Sequence, residues 1–263
     1  MTAIPLANAR RNHAAKGRNV IAVASGKGGV GKTWFAVTLA QALTNLEARV
    51  LLFDGDLGLA NVDIQLGLMP ERDLGGVIAG NLTLRQSVMQ VAETGFDVIA
   101  GRSGSGNLSA LAPARLSLLH DGLMTLADDY DRMVIDLGAG VEDTVRALAG
   151  DAGVLLVVTT ADPTALTDAY AFIKLTAAER PDADIRIVVN LAASPREGER
   201  TYNTILKACQ NFLKLSPPLA GIVRRDAKVA DSIRNQTALL TRYPNSEAGS
   251  DVTAIARRLM SGT

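Results

Sequence analysis

The chain has one cysteine and two histidines in 263 residues, and these scarcities remove whole classes of chemistry. Cys209 alone forms no disulfide within the chain, no CxxC pair and no thiolate-held zinc or iron–sulfur site. His13 and His120 stand in unrelated contexts, so no HExxH-type metal site exists; a Ser-His-Asp triad would need His120, and no GxSxG elbow supports one. Aromatic residues are only 4%, so the core must be built from Ala, Val, Leu and Ile. The longest apolar runs, such as Val154 to Val158, fall far short of the ~20 residues of a membrane span. Arg10, Arg11, Lys16 and Arg18 are followed by no apolar stretch, so they do not open a secretory signal, and a cytoplasmic location is expected. Charge of one sign is also missing. Lys and Arg number 27 against 27 Asp and Glu, with a pI near 6.7, which argues against a chain built to wrap nucleic acid.

What is present is alternation. Residues 1–19 form a polar, acid-free basic arm, expected to be flexible, and residues 20–263 are expected to form a single domain. From residue 20 onward, β-branched runs recur at Val20–Ala24, Val50–Phe53, Phe96–Ala100, Met133–Leu137, Val154–Thr159, Ile185–Val189 and Leu219–Val223. Most are almost continuously apolar, as strands buried on both faces must be. Helix-length segments separate them; over Thr33–Leu46 the spacing of Phe35, Leu39, Ala42, Leu43 and Leu46 predicts one packed face. Strand and helix alternating in this way predict an α/β fold with a doubly wound, mostly parallel sheet.

Gly26 to Thr33 fits G-x-x-x-x-G-K-[ST] between the first strand and the first helix. In such a loop the backbone N–H groups of Gly28, Gly29, Val30 and Gly31 turn inward around phosphate. Lys32 reaches the β and γ phosphates, the Thr33 hydroxyl holds Mg²⁺, and the helix N-terminus adds its dipole. The same stretch satisfies the dinucleotide pattern G-x-G-x-x-G, with Asp54 near the position of a ribose-binding carboxylate, but that reading gives no reason for Lys32 and Thr33. Asp54 and Asp56 follow the second strand and are both expected to project toward the loop, one to orient an attacking water and one to order the Mg²⁺ shell. Asp136 ends a later apolar strand, as a Walker-B-like Mg²⁺ carboxylate does, and Gly138-Ala139-Gly140 after it suits a loop that moves with the γ-phosphate.

The loop Lys27-Gly28-Gly29-Val30-Gly31-Lys32-Thr33 resembles the deviant Walker A loop of the MinD/ParA ATPases, which are SIMIBI-class P-loop NTPases. The resemblance implies ATP/ADP and Mg²⁺ as ligands, slow partner-stimulated ATP hydrolysis and an ATP-dependent homodimer. In that dimer Lys27 would reach the other subunit's phosphates. Asp56 matches the family's water-positioning aspartate and Asn190 its adenine-reading asparagine; Arg225 and Asp226 fall in a loop that packs over the base. Three positions depart from the family pattern. Leu137 replaces Thr or Pro, Arg224 replaces Pro, and Trp34 replaces a small polar residue whose side chain would bond the α-phosphate; Trp34 remains among the expected nucleotide-binding residues.

Within the family, Asp56-Leu-Gly-Leu-Ala-Asn-Val-Asp63, Asp162-Pro-Thr-Ala-Leu-Thr-Asp-Ala-Tyr170, Ser103-Gly104, His120-Asp-Gly-Leu123 and Tyr243-Pro-Asn-Ser246 resemble the flagellar-number branch, FlhG/FleN. That resemblance implies a flagellar or polar protein partner: an FlhF-like GTPase, a switch-complex protein or a transcription factor. Residues 1–19 hold no match to that branch's GTPase-stimulating motif. The stripe Val252, Ile255, Ala256, Leu259 and Met260 is expected to pack on the core rather than target a membrane. A cargo-positioning role on the nucleoid would need Arg224, Arg225, Lys228, Arg234 and Arg242 as a DNA patch, which Asp226 and Asp231 interrupt, so a solvated helix face is expected there.

Overall fold

The structure is a computed structural model that describes residues 17–101 and 111–261. Nearly all of the basic arm and the Ser103-Gly104 motif therefore lie outside the described residues.

The seven expected strands form. They are β1 (Val20–Ser25), β2 (Val50–Gly55), β4 (Asp97–Ile99), β5 (Arg132–Ala139), β6 (Val154–Thr159), β7 (Ile185–Ala192) and β8 (Leu219–Arg224). An eighth, β3 (Met89–Gln90), was not signalled by any apolar run; it is a two-residue edge strand antiparallel to β4. The order is β3-β4-β2-β5-β1-β6-β7-β8, and every other pairing is parallel. β1 lies between β5 and β6, so consecutive crossovers leave it in opposite directions, and the crevice beyond its C-terminal end is where such sheets bind ligands.

Period-2 alternation feeds two cores. Ile21, Val23, Leu52, Val134, Leu156 and Val158 face one; Ala22, Leu51, Phe53, Ile135, Leu155 and Val157 face the other. The first core is filled by α1 (Lys32–Thr44) and by the last helix described, Glu247–Ser261. Because that last helix packs on α1, α1 is buried almost all round from Trp34 to Leu43, and not along one face as its spacing predicts; Leu46 lies beyond its end. Val252, Ile255, Ala256 and Leu259 are buried in this contact, as expected of a core-packing stripe, whereas Met260, expected in the same stripe, is exposed. Among the described residues no helix is long and apolar enough to cross a membrane. The second core is covered by Pro113–Ala127, Pro163–Glu179 and Pro195–Ala208, each opened by a proline, a residue preset for the first helical turn.

Candidate nucleotide-binding site

The loop from Gly26 to Gly31 joins β1 to α1 at the switch point of the sheet. Gly31 precedes α1 with φ of 83°, a left-handed backbone that glycine adopts without strain. A Cβ there would stand 2.5 Å from Asn190 Nδ2, so the position excludes a side chain for packing reasons too. Asn190 ends the straight part of β7, is buried, and donates through Nδ2 to the Val30 carbonyl at 2.8 Å. Its Oδ1 is buried without a partner, leaving one acceptor open beside the loop.

Lys32 and Asp136 meet at the foot of the loop. Lys32 Nζ lies 2.8 Å from Asp136 Oδ1, with side-chain exposures of 7% and 1%. Burial drives the Asp136 carboxyl above its usual range, while the Lys32 charge and hydrogen bonds from Lys32 and Thr33 pull it back down. Asp136 Oδ2 is buried with no partner. A carboxylate with one oxygen held and one open, next to the Thr33 hydroxyl, is a donor set of hard oxygens that fits Mg²⁺.

The second-strand carboxylates separate. Asp56 sits half-buried and accepts the Leu59 N–H at 2.9 Å through Oδ1, and that oxygen lies 3.5 Å from where a Cβ on Gly138 would stand. It therefore lies beside Gly138, which with Ala139 still belongs to β5; only Gly140 lies beyond the strand, so the Gly138-Ala139-Gly140 loop expected from the sequence does not form as such. Asp54 does not project to the loop. It is fully buried and accepts the backbone N–H groups of Asp56, Asn61 and Val62, at 3.2, 3.1 and 3.1 Å, so its task is to fold residues 56–62 back over β2. Enclosure also removes it as a ribose-binding carboxylate, and with it the structural basis of a dinucleotide site. Its pKa is pushed up to about 7, by burial first and by the Asp136 charge second.

Two cavities flank the loop and share Lys27, Gly28 and Gly29. One, of about 400 Å³, is lined by Lys32, Thr33, Trp34, Asp56, Asn61, Gln65 and Ala139, with Leu59, Ile64 and Ile233 at its edge. The other, of about 520 Å³, is lined by Val30, Thr160, Asp162, Leu191, Glu197 and Arg225. Lys27 bridges them. Its Nζ donates to the Thr164 hydroxyl and lies 3.4 Å from Asp162 Oδ2, and its side chain remains 39% exposed.

The predicted base loop is only partly assembled. Arg225 is exposed and lines the second cavity, whereas the Asp226 carboxylate caps the next helix (Ala227–Arg234), accepting the Lys228 N–H at 2.9 Å. Arg224 turns away from the site and is held by Asp251 at 2.9 Å and Glu247 at 2.7 Å. Arg242 is likewise held by Asp231 at 2.8 Å, and Arg234 lies 3.9 Å from the same carboxylate, so three of the five cations named for a basic patch are ion-paired. His120 is placed between Asp121 and Asp151, at 3.7 and 3.6 Å, away from the loop residues.

Comparison with known proteins settles the family. The model of the CobQ/CobB/MinD/ParA nucleotide-binding domain matches residues 21–239. The chain belongs to the MinD/ParA family of nucleotide-binding proteins. It is 37% identical over 240 residues to the antiactivator FleN of Pseudomonas aeruginosa, covering 91% of this chain and 85% of that one. It is 30% identical to the flagellum site-determining protein YlxH of Helicobacter pylori, over 92% of this chain and 81% of that one. In fold it is similar to the septum site-determining protein MinD of Pyrococcus horikoshii complexed with Mg-ADP, with a TM-score of 0.77 and 20% identity across 93% of this chain and 97% of that one. For this MinD/ParA protein, the deviant loop motif, the strand order and the likeness to FleN agree.

Proposed function

We propose that this protein is an ATP-dependent dimerising switch with slow hydrolysis that regulates the number or placement of flagella. The observation that carries the nucleotide chemistry is the buried Lys32–Asp136 pair beneath a glycine loop, with an open carboxylate oxygen and a hydroxyl beside it. The flagellar assignment rests on the likeness to FleN and YlxH over more than nine-tenths of the chain.

The place of each residue supports the part proposed for it. The backbone N–H groups of Gly28 to Gly31 and the N-terminus of α1 would hold the phosphates, and Lys32 would exchange part of its bond to Asp136 for phosphate oxygens. Thr33 and Asp136 would hold Mg²⁺, which when bound offsets negative charge on the β and γ phosphates. Asp56, beside Gly138 near the end of β5, would orient the attacking water. Asn190 would present its open Oδ1 to the adenine amino group, with Arg225 over the outer cavity. Lys27, outside the loop's own cradle, would complete the site of a second copy. A flagellar or polar protein would read the ATP-bound dimer, and any pole or membrane recruitment would run through that partner.

The test is size-exclusion with light scattering on wild type and Asp56→Ala, each with ADP and with ATP plus Mg²⁺. A dimer seen only with ATP, and lasting longer in Asp56→Ala, supports the switch. A monomer in every condition overturns the dimer model.

A further inference from the structure

The Pro113–Ala127 helix turns one face toward the short helix Leu74–Ile78 and leaves a groove of about 460 Å³ between them. Val77, Ile78, Leu84, Leu118 and Leu119 line it. Leu119 is buried in the second core, whereas Leu118 is 72% exposed. Gly122, one turn further along, leaves room for Leu84 against the helix: a Cβ there would stand 2.7 Å from Leu84 Cδ1.

Charge is confined to one side chain. Among the described residues Arg115 is the one charged group lining the groove, and no carboxylate there pairs with it. It stands one turn before Leu118 and Leu119 on the same helix, so the cation and the two leucines share a face. Arg85, Arg146 and Arg224, by contrast, are each held by a carboxylate. The groove therefore suits an occupant that brings apolar side chains and a negative charge. A two-fold contact with a second copy would pair the patch with itself, concavity to concavity and cation to cation, which is not self-complementary. A lipid surface is recognised by clusters of about four to eight Lys or Arg, and the groove has one cation. What fits is a protein segment: an amphipathic helix whose apolar residues, three or four apart, enter a cleft between helices.

We propose that this groove is the docking site for an amphipathic helix of a partner protein, which seats two apolar side chains between the two helices and sets a carboxylate on Arg115. None of the groove's lining residues lines either cavity beside the phosphate loop, so docking here requires neither nucleotide nor a second copy.

Panning a display library of helical peptides on the full chain, with Arg115→Glu and Leu118→Asp proteins as counter-screens, tests the site. Both side chains are exposed, so both variants are expected to melt as the wild type does. Enriched peptides should carry two apolar residues three or four apart and an acidic residue within a turn of them. They should shift the backbone signals of Val77 and Leu118 in the ¹⁵N-labelled protein. Such a peptide should lose roughly tenfold in affinity on Arg115→Glu, the scale of a hydrogen bond to a charged group, and should regain it when its own acid is changed to Lys. A library that yields only peptides indifferent to both substitutions, or none at all, overturns the site. Binding of the wild type to phosphatidylglycerol vesicles, or its self-association, would overturn the assigned partner if Leu118→Asp abolishes it, because the groove would then take a membrane or a second copy.

Discussion

Lys32 and Asp136 form a buried ion pair at 2.8 Å directly beneath the phosphate loop, joining the first turn of α1 to the middle of β5. In the proposed site the pair would pre-position the lysine for a ligand phosphate, and the ammonium pulls the buried Asp136 carboxyl back down against the upward push of burial. Lys32→Ala is expected to lose nucleotide affinity by about a hundredfold, the scale of a charge-assisted phosphate contact. Breaking one partner of a buried pair ordinarily costs ~3–5 kcal/mol, but the abandoned Asp136 takes up a proton, which caps the loss nearer ~1–3 kcal/mol at neutral pH. Thermal melts and ADP calorimetry on the variant check both numbers; unchanged ADP affinity would remove Lys32 from the site.

Asp54 makes the stability of the nucleotide-free protein depend on pH. Its carboxyl titrates at about 7 in the fold against an ordinary value of 3.8. A carboxyl whose pKa is raised by folding holds its proton more tightly in the native state. Its favourable contribution is complete below 3.8 and is lost as pH climbs toward about 7. Asp136, raised in the same direction, adds to the trend. Melting temperature should therefore fall between about pH 5 and about pH 8, with a shallower fall in Asp54→Asn. The variant should also melt lower overall, because an amide cannot accept the N–H groups of Asp56, Asn61 and Val62 with both ends. A wild-type melting temperature flat across that range would contradict the assignment.

How much of this was legible in the sequence depended on how local the cause was. The phosphate loop could be read because its chemistry is carried by contiguous residues, Gly26 to Thr33. Seven strands could be read because burial on both faces leaves unbroken apolar runs. β3 could not, since a two-residue edge strand has neither length nor periodicity. The role of Asp54 was hidden because a carboxylate after a strand looks the same whether it faces a ligand or three backbone N–H groups eight or fewer residues ahead. Arg224 looked like a defect in the base loop because its partners, Glu247 and Asp251, lie on a helix more than twenty residues away.

The Arg224 pairing yields a clean separation of stability from binding. Its guanidinium bonds both Asp251 oxygens and Glu247, while its own backbone N–H bonds Asp251, so it ties β8 to the last helix. The side chain is 30% exposed, so the contribution is modest even with this bidentate geometry. Arg224→Ala is expected to lower stability by ~1 kcal/mol with ADP affinity unchanged. A large drop in ADP binding would return this residue to the base loop.

Lys27 and Asp56 should fail in opposite ways. Lys27 rests on Asp162 and Thr164 with 39% of its side chain exposed, and exposed ion pairs of this kind hold by no more than ~1 kcal/mol, so the lysine detaches at little cost. It touches no residue of the Lys32–Asp136 pair in the structure, so Lys27→Ala should bind ADP within about threefold of wild type, a difference below 1 kcal/mol. If its task is to reach a second copy, the same variant should form no dimer with ATP and should hydrolyse ATP at a background rate. Asp56 lies beside Gly138 within its own subunit, so Asp56→Ala should bind ATP and dimerise, while hydrolysis falls by about 10²–10⁴, the span of a positioned general base or water-orienting group. Mixing the two variants supplies the decisive case. In a sandwich with one mutant of each kind, the Lys27→Ala subunit keeps its own Asp56 and receives the lysine of the Asp56→Ala subunit, so its site is complete, while the other site lacks both residues. The mixture should therefore regain ATPase activity that neither variant has alone. A mixture that stays inactive although mixed dimers form would mean that both residues reach a given site from the same subunit, and the split placement of Lys27 and Asp56 would be wrong.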